Sequence, residues 1–120
     1  MHGEAGSGAR CIFCKIVARR MPADEVLRDE LVVAFRDINP VAPTHILVVP
    51  TMHATHLSDF MKLAGAAASS RLLAAAAEVG ARFGEGGYRV VTNEGVDAGQ
   101  SVYHLHLHVL AGRRFRWPPG

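Results

Sequence analysis

His104, His106 and His108 place three of the chain's seven histidines within five residues, spaced by Leu105 and Leu107. In an extended strand successive side chains alternate faces, so this spacing predicts an imidazole face opposite an apolar face of Leu105, Leu107 and Val109. Rings about 7 Å apart along a strand repel when protonated together, which keeps at least one neutral near pH 7. A neutral imidazole serves as a nucleophile or as a metal ligand. For any single one of these histidines a solvated polar face is an adequate account; for three in alternation it is a poor one. Just upstream, residues 93–101 (NEGVDAGQS) end a strand with Asn93, offer Gly95 and Gly99 for tight turns, and deliver Gln100 and Ser101 next to the histidines. Turns of this type aim backbone N–H groups at an anion, and a serine hydroxyl both donates and accepts. The loop alone could be a plain strand connection; beside an imidazole face it predicts an anion site.

Cys11 and Cys14 are the only cysteines, too few and too close for a disulfide framework, which leaves metal binding, redox chemistry or coincidence. Two thiolates two residues apart can clasp zinc, but a closed tetrahedral site needs two further ligands. A thioredoxin-like role is disfavoured because no βαβ unit surrounds the pair.

These groups must be held by a small frame. A chain of 120 residues with 49% hydrophobic and 20% charged residues supports one domain with an ordinary core, and this composition excludes a disordered chain. No run approaches the ~18 apolar residues of a membrane span, and residues 1–10 lack the apolar stretch of a signal peptide. The expectation is a cytoplasmic protein, also nuclear if its source is eukaryotic. Net charge is +2, with eleven arginines and two lysines spread among eleven acids and clustered only at Arg113, Arg114 and Arg116. That distribution suits a small anionic ligand better than polymeric nucleic acid.

Residues 1–10, rich in glycine, serine and alanine, predict a mobile leader, followed by a single domain over 11–120. Residues 11–20 carry Ile12, Phe13, Ile16 and Val17 at helical spacing and predict a short helix stopped by Met21-Pro22. Residues 26–28 and 31–36 predict a hairpin turning at Asp29-Glu30, and residues 45–49 a central strand apolar on both faces. The alanine-rich residues 66–83 predict one long helix, with Leu72, Leu73, Ala76, Val79 and Phe83 on its packed face, a Glu78–Arg82 pair on the other, and a left-handed stop at Gly84. Strands are predicted over 88–93 and 102–110. The fold class is therefore α+β, a mainly antiparallel five-stranded sheet with one long helix and a short N-terminal helix.

The segment His104-Leu105-His106-Leu107-His108-Val109-Leu110 resembles the histidine triad signature, in which three histidines alternate with apolar residues. The likeness extends to Phe35-Arg36-Asp37-Ile38, to Pro40 with Ala42-Pro43-Thr44-His45, to Asn93-Glu94-Gly95 through Gln100-Ser101-Val102-Tyr103, and to Trp117-Pro118-Pro119-Gly120. Over residues 11–120 the chain is similar to the Hint branch of that superfamily, the histidine triad nucleotide-binding proteins. The resemblance implies a homodimeric purine nucleoside phosphoramidase that binds AMP or GMP, cleaves P–N bonds and aminoacyl-adenylates, and needs no metal for its chemistry. It implies His106 as nucleophile, forming a nucleotidyl-histidine that water resolves. His108 would contact phosphate and leaving group, Ser101 the phosphate and departing amine, and His45 and Asn93 the polar wall, beside the Gly99-Gln100 turn. The His104 carbonyl would fix the tautomer of His106. Asp37 would bind the ribose hydroxyls, with Ile38, Phe13, Ile16 and Phe35 forming a slot for the base. Asp37 also fits a turn cap, and the apolar residues also fit plain core. Trp117, on a stiff Pro-Pro tail, would approach the partner subunit's site.

Some triad proteins pair an N-terminal Cys-x-x-Cys with a histidine after the Val-Pro strand end and with the first triad histidine around structural zinc. Here those positions are Cys11, Cys14, His53 and His104; His56 is a substitute for His53 if that segment is helical. The alternatives are a dinucleoside polyphosphate hydrolase of the Fhit type, disfavoured by the complete third histidine and the Trp-Pro-Pro-Gly ending, a non-enzymatic nucleotide-binding scaffold, and a catalytic zinc bound by the alternating histidines. The zinc deaminase signature is absent.

Overall fold

The computed structural model describes residues 10–120, so the expected leader lies, apart from Arg10, outside the described residues. Five strands form one sheet: β1 (Glu25–Arg28), β2 (Val32–Arg36), β3 (Thr44–Pro50), β4 (Tyr88–Val91) and β5 (Leu107–Ala111). Their order is β1-β2-β3-β5-β4 and every neighbouring pair is antiparallel. Asp29 makes the first hairpin, its Oδ1 accepting the amides of Leu31 and Val32 at 2.8 and 3.0 Å. The chain leaves the sheet after β3 for α2 (Leu57–Leu63) and α3 (Ala66–Phe83), returns as the edge strand β4, and ends by inserting β5 between β3 and β4.

The centre of the sheet, β2 and β3, is buried on both faces. β2 and β3 alternate Val32, Ala34, Ile46 and Val48 towards α3 with Val33, Phe35, Leu47 and Val49 towards α1 (Ile12–Val17). Two hydrophobic layers on one sheet explain why residues 45–49 read as continuous rather than alternating apolar. The small Ala75 and Ala76 let α3 sit close over the first layer.

Several local expectations are corrected. α1 ends at Val17 rather than near 20, because the Arg28 guanidinium takes the Val17 and Ile16 carbonyls at 2.9 and 3.1 Å and Arg19 turns left-handed at φ 62°. Leu73 faces outward, and Glu78 pairs with Arg71 at 3.4 Å while Arg82 donates to the Val26 carbonyl. Gly84 stops α3 at φ −107°, not left-handed; glycine is required there because a Cβ would meet the Gly80 carbonyl at 2.7 Å. β4 stops at Val91 and β5 begins only at Leu107. Leu105 donates its amide to the Ala54 carbonyl at 2.7 Å, so the chain before Leu107 is held by the 51–56 segment instead of a ladder.

α2 escaped the sequence reading, although Leu57, Phe60 and Ala64 carry helical spacing. Its N-cap is His56, an unusual cap whose Nδ1 accepts the Asp59 amide at 3.3 Å. Phe60 projects from this helix into the layer under α3 and is 1% exposed. Truncating Phe60→Ala is expected to cost about 3–5 kcal/mol in urea denaturation, as for other buried phenylalanines; a loss under about 1 kcal/mol would mean that α2 is not part of the core.

Candidate active site

At the α1 face of the sheet lies a cavity of about 450 Å³. α1 contributes Ile12, Phe13 and Ile16; the end of β2 and the loop after it contribute Phe35, Asp37, Ile38 and Val41; β3 contributes His45; and the chain into β5 contributes Ser101, Val102, His106 and His108. Its floor is apolar and one wall is imidazole, the composition of a site for a flat ring carrying a polar group.

The three triad histidines are not on one strand face as expected, since only His108 lies in β5. The alternation nevertheless survives in the side chains. Leu105, Leu107 and Val109 enter the layer under α3, whereas Phe13 on the opposite face meets His104 and His106 edge-on at 6.0 and 5.2 Å between ring centroids. The His106 and His108 centroids are 4.8 Å apart, closer than an ideal strand allows.

Hydrogen-bond partners assign the protons, because a nitrogen facing a carbonyl must donate and one facing an amide must accept. His104 Nε2 faces the Pro50 carbonyl at 2.9 Å, leaving its Nδ1 lone pair free. His106 Nδ1 faces the His104 carbonyl at 2.8 Å, so it donates there and Nε2 holds the lone pair. His45 Nδ1 accepts the Val41 amide at 3.1 Å, so its Nε2 carries the proton and donates to His108 Nδ1 at 2.9 Å. His108 is therefore protonated on Nε2. The cavity wall thus combines a bare nitrogen on His106 with an N–H on His108, a nucleophile beside a donor. Asp37 Oδ2 lies 3.3 Å from His45 Nε2. Asp37, His45 and His108 converge as a potential ligand trio, but the proton that Val41 forces onto His45 Nε2 occupies the position a metal would take.

Burial, above all, holds these rings neutral. It pushes His108 down to about 4, aided by the nearby His106 and His45, and lowers His106 despite the His104 carbonyl. His45 is lowered by burial and partly restored by Asp37. His104, fully buried, is pushed down to about 4, again mainly by burial.

A second cluster backs the first. Cys11, Cys14, His53 and His104 bring their ligand atoms within 4.8 Å of one another. The His104 Nδ1 lies 3.3 Å from Cys11 Sγ, 3.4 Å from Cys14 Sγ and 3.2 Å from His53 Nδ1, and Cys14 Sγ lies 3.2 Å from His53 Nδ1. A tetrahedral zinc with bonds of about 2.3 Å to sulfur and about 2.0 Å to nitrogen sets its ligand atoms about 3.3–3.7 Å apart, so the four atoms fit. His53 turns Nδ1 to this point while its Nε2 is buried without a hydrogen-bond partner, a cost that a metal bond at Nδ1 would offset. Burial and the adjoining Cys11 push the Cys14 thiol up to about 12, and a dication at the shared point would reverse that by stabilising thiolates. His56 is not part of this cluster: it caps α2, 3.6 Å from Glu94.

Of the residues singled out from the sequence, Phe13, Ile16, Phe35, Asp37, Ile38, His45, Ser101, His106 and His108 line one cavity; Asn93, Gly99, Gln100 and Trp117 do not. Gln100 is buried and ties its own loop to the segment before α2, donating to the Thr55 and Val102 carbonyls at 2.6 and 3.1 Å and accepting the Gly95 amide at 3.0 Å. The Gly99 and Gln100 amides bond to the Val96 and Gly95 carbonyls, so these two loop amides are spent internally. Trp117 is 82% exposed. Val41 escaped the sequence reading because its contribution is a backbone amide, which no residue type reveals.

The HIT domain family matches residues 18–115. An uncharacterised HIT-like protein of Synechocystis is 46% identical over 110 residues, covering 91% of this chain and 96% of that protein. The 14 kDa zinc-binding protein of Zea mays is 46% identical over 117 residues, covering 91% and 87%. Among solved structures, a HIT family hydrolase of Legionella pneumophila superposes with TM-score 0.82 at 40% identity, covering 92% of this chain and 99% of that one. A histidine triad protein of Clostridium difficile does so with TM-score 0.78 at 41% identity, covering 88% and 93%.

The low proton affinity of His108 has a measurable consequence. In a ring-resolved NMR titration His108 is expected to stay neutral until about pH 4, against about 6.5 for an exposed imidazole. Since the folded value lies below the unfolded one, its contribution to stability is present above about pH 6.5 and is lost as pH falls towards 4. Titration near 6.5 would contradict the desolvated wall.

Proposed function

Because the chain belongs to the HIT domain family, we propose that it is a hydrolase acting as a purine nucleoside phosphoramidase on adenosine or guanosine 5'-phosphoramidates and on aminoacyl-adenylates. The observation that carries this reading is the tautomer of His106: its Nδ1–H is tied to the His104 carbonyl, and its bare Nε2 stands in the cavity beside the His108 donor. In the first step Nε2 attacks phosphorus and the P–N electron pair leaves on nitrogen, which takes up a proton from solvent and departs as the amine. In the second, water attacks phosphorus and gives up a proton to solvent, the P–Nε2 bond breaks, and His106 is restored with release of the nucleoside monophosphate. Two displacements, each through a good leaving group, replace one difficult displacement. His108 Nε2–H faces the phosphate and departing group, with Ser101 at the same wall. Asp37 meets the ribose hydroxyls, and Phe13, Ile16, Phe35 and Ile38 offer apolar surface to the base.

Cys11, Cys14, His53 and His104 hold a structural zinc that supplies no step of the reaction but clamps α1 to the segment before β5. Support comes from the distances among the four donors and from the maize relative's description as zinc-binding. The working unit is a homodimer: β4 forms a sheet edge with Tyr88 and Val90 exposed, a surface suited to a second copy.

Hydrolysis of a fluorogenic adenosine phosphoramidate is expected to fall at least about a thousandfold in His106→Ala, the scale of a lost nucleophile. Equal activity in the two proteins would sink the mechanism. Faster turnover of diadenosine polyphosphates would favour the Fhit-type hydrolase, and AMP binding without turnover of any phosphoramidate the scaffold.

The purified protein is expected to hold close to one zinc per chain by elemental analysis, and Cys14→Ser to lose it and melt several degrees lower, since binding free energy at such sites is folding free energy. Full-strength folding without metal would remove the zinc from this account.

A further inference from the structure

Val41 has both backbone polar groups engaged, one by His45 four residues on and the other by the distant Arg113. Its N–H donates to His45 Nδ1 at 3.1 Å, and its carbonyl accepts from the Arg113 guanidinium at 3.3 Å. Its side chain is 62% exposed, so packing does little to fix the peptide. Arg113 is itself held in place. Its guanidinium carbon stands 4.3 Å from the Phe115 ring centroid, Arg89 sits at 5.2 Å from the same ring, and Arg89 also donates to the Arg116 carbonyl. Gly112, at φ 94°, presses the chain against Pro43 of the same loop; a Cβ there would lie 2.7 Å from the Pro43 Cβ. The tail after β5 therefore folds back over the loop after β2.

We propose that Arg113 is a positioning residue for the cavity histidines: by fixing the Val41 peptide it holds His45 in the tautomer that donates to His108. The chain of contacts runs from Arg113 to the Val41 carbonyl, through the peptide unit to the Val41 N–H, and on through His45 to His108. If the Val41 amide turns away, His45 Nδ1 loses the donor that keeps it bare, and only the Asp37 carboxylate, 3.3 Å from Nε2, still favours the proton there. A proton moved to Nδ1 leaves two lone pairs facing each other 2.9 Å apart, at His45 Nε2 and His108 Nδ1. His108 relieves this by moving its own proton from Nε2 to Nδ1. The two rings switch together, and the N–H facing the cavity is exchanged for a lone pair. The kinetic consequence rests on the phosphoramidase reading; the tautomer consequence does not.

Arg113→Met keeps the aliphatic stem over Phe115 but cannot donate, Arg113→Lys restores a donor, and Arg114→Met serves as the neighbouring control. In long-range 1H–15N spectra of the full chain, wild type and Arg114→Met should show His108 protonated on Nε2 and His45 on Nε2. Arg113→Met should show mixed tautomers at both rings, and Arg113→Lys should recover the wild-type pattern. With the fluorogenic adenosine phosphoramidate, Arg113→Met should lower kcat about tenfold with KM within about twofold, as expected for a partner that orients a reacting group without touching substrate. Wild-type tautomers in Arg113→Met, or an equal effect from Arg114→Met, would overturn the proposal. If wild type turns over no phosphoramidate, the functional reading fails, and the spectra alone decide whether Arg113 positions the rings.

Discussion

The backbone carbonyl of His104 accepting the His106 Nδ1–H at 2.8 Å is the contact on which the rest of the site depends. It decides which nitrogen of His106 faces the cavity, and it requires residue 104 to stay fixed. Residue 104 is fixed because its own ring is fully buried, tied by Nε2 to the Pro50 carbonyl and by Nδ1 to the cysteine cluster. One residue thus belongs to two sites: its side chain to the Cys2His2 cluster, its main chain to the imidazole wall. The two are one rigid object, which is why Phe13 of α1 can touch both rings.

Proton placement throughout the wall is set by main-chain groups, the carbonyls of Pro50 and His104 and the amide of Val41. Formal charge has a minor part, because Asp37 only partly offsets the effect of burial on His45. Backbone dipoles are pre-oriented by the sheet and loops and need no ordering when a ligand arrives, which favours a prearranged reactive geometry. The same groups work in a poorly solvated setting, where an unmatched hydrogen bond is costly and alternative tautomers are correspondingly disfavoured.

The sheet, the long helix and the hairpin were legible because burial imposes period and length: residues 45–49 read as apolar on both faces and lie between two layers, and 66–83 carries an alanine-rich run with apolar residues at helical spacing, stopped by Gly84. Ser101, His106 and His108 were legible through residue type and spacing, whereas Asp37 and His45 were placed beside them only by the resemblance to the histidine triad proteins. What the sequence concealed is what side-chain identity does not carry. Gln100 looked like part of an anion loop and instead spends its amide on its own turn and on the Thr55 carbonyl. Leu105 gives its N–H to Ala54 rather than to a strand, so the histidine run starts outside the ladder that its alternation suggested. α2 begins at a histidine cap, which propensity does not favour.

The position of β5 also bears on how the molecule comes into being. This strand, the last in the chain, lies between β3 and β4 and pairs with both. During synthesis β3 emerges well before it, whereas β4, whose only partner in the sheet is β5, precedes it closely. Until residues 107–111 leave the ribosome, the apolar β3 keeps an unpaired edge, the kind of surface on which nascent chains stick to one another. Pairing of β5 with β3 joins segments more than fifty residues apart and brings His108 up to His45 in the same event. The imidazole wall and the completed sheet are therefore born together, and a partly made chain carries neither.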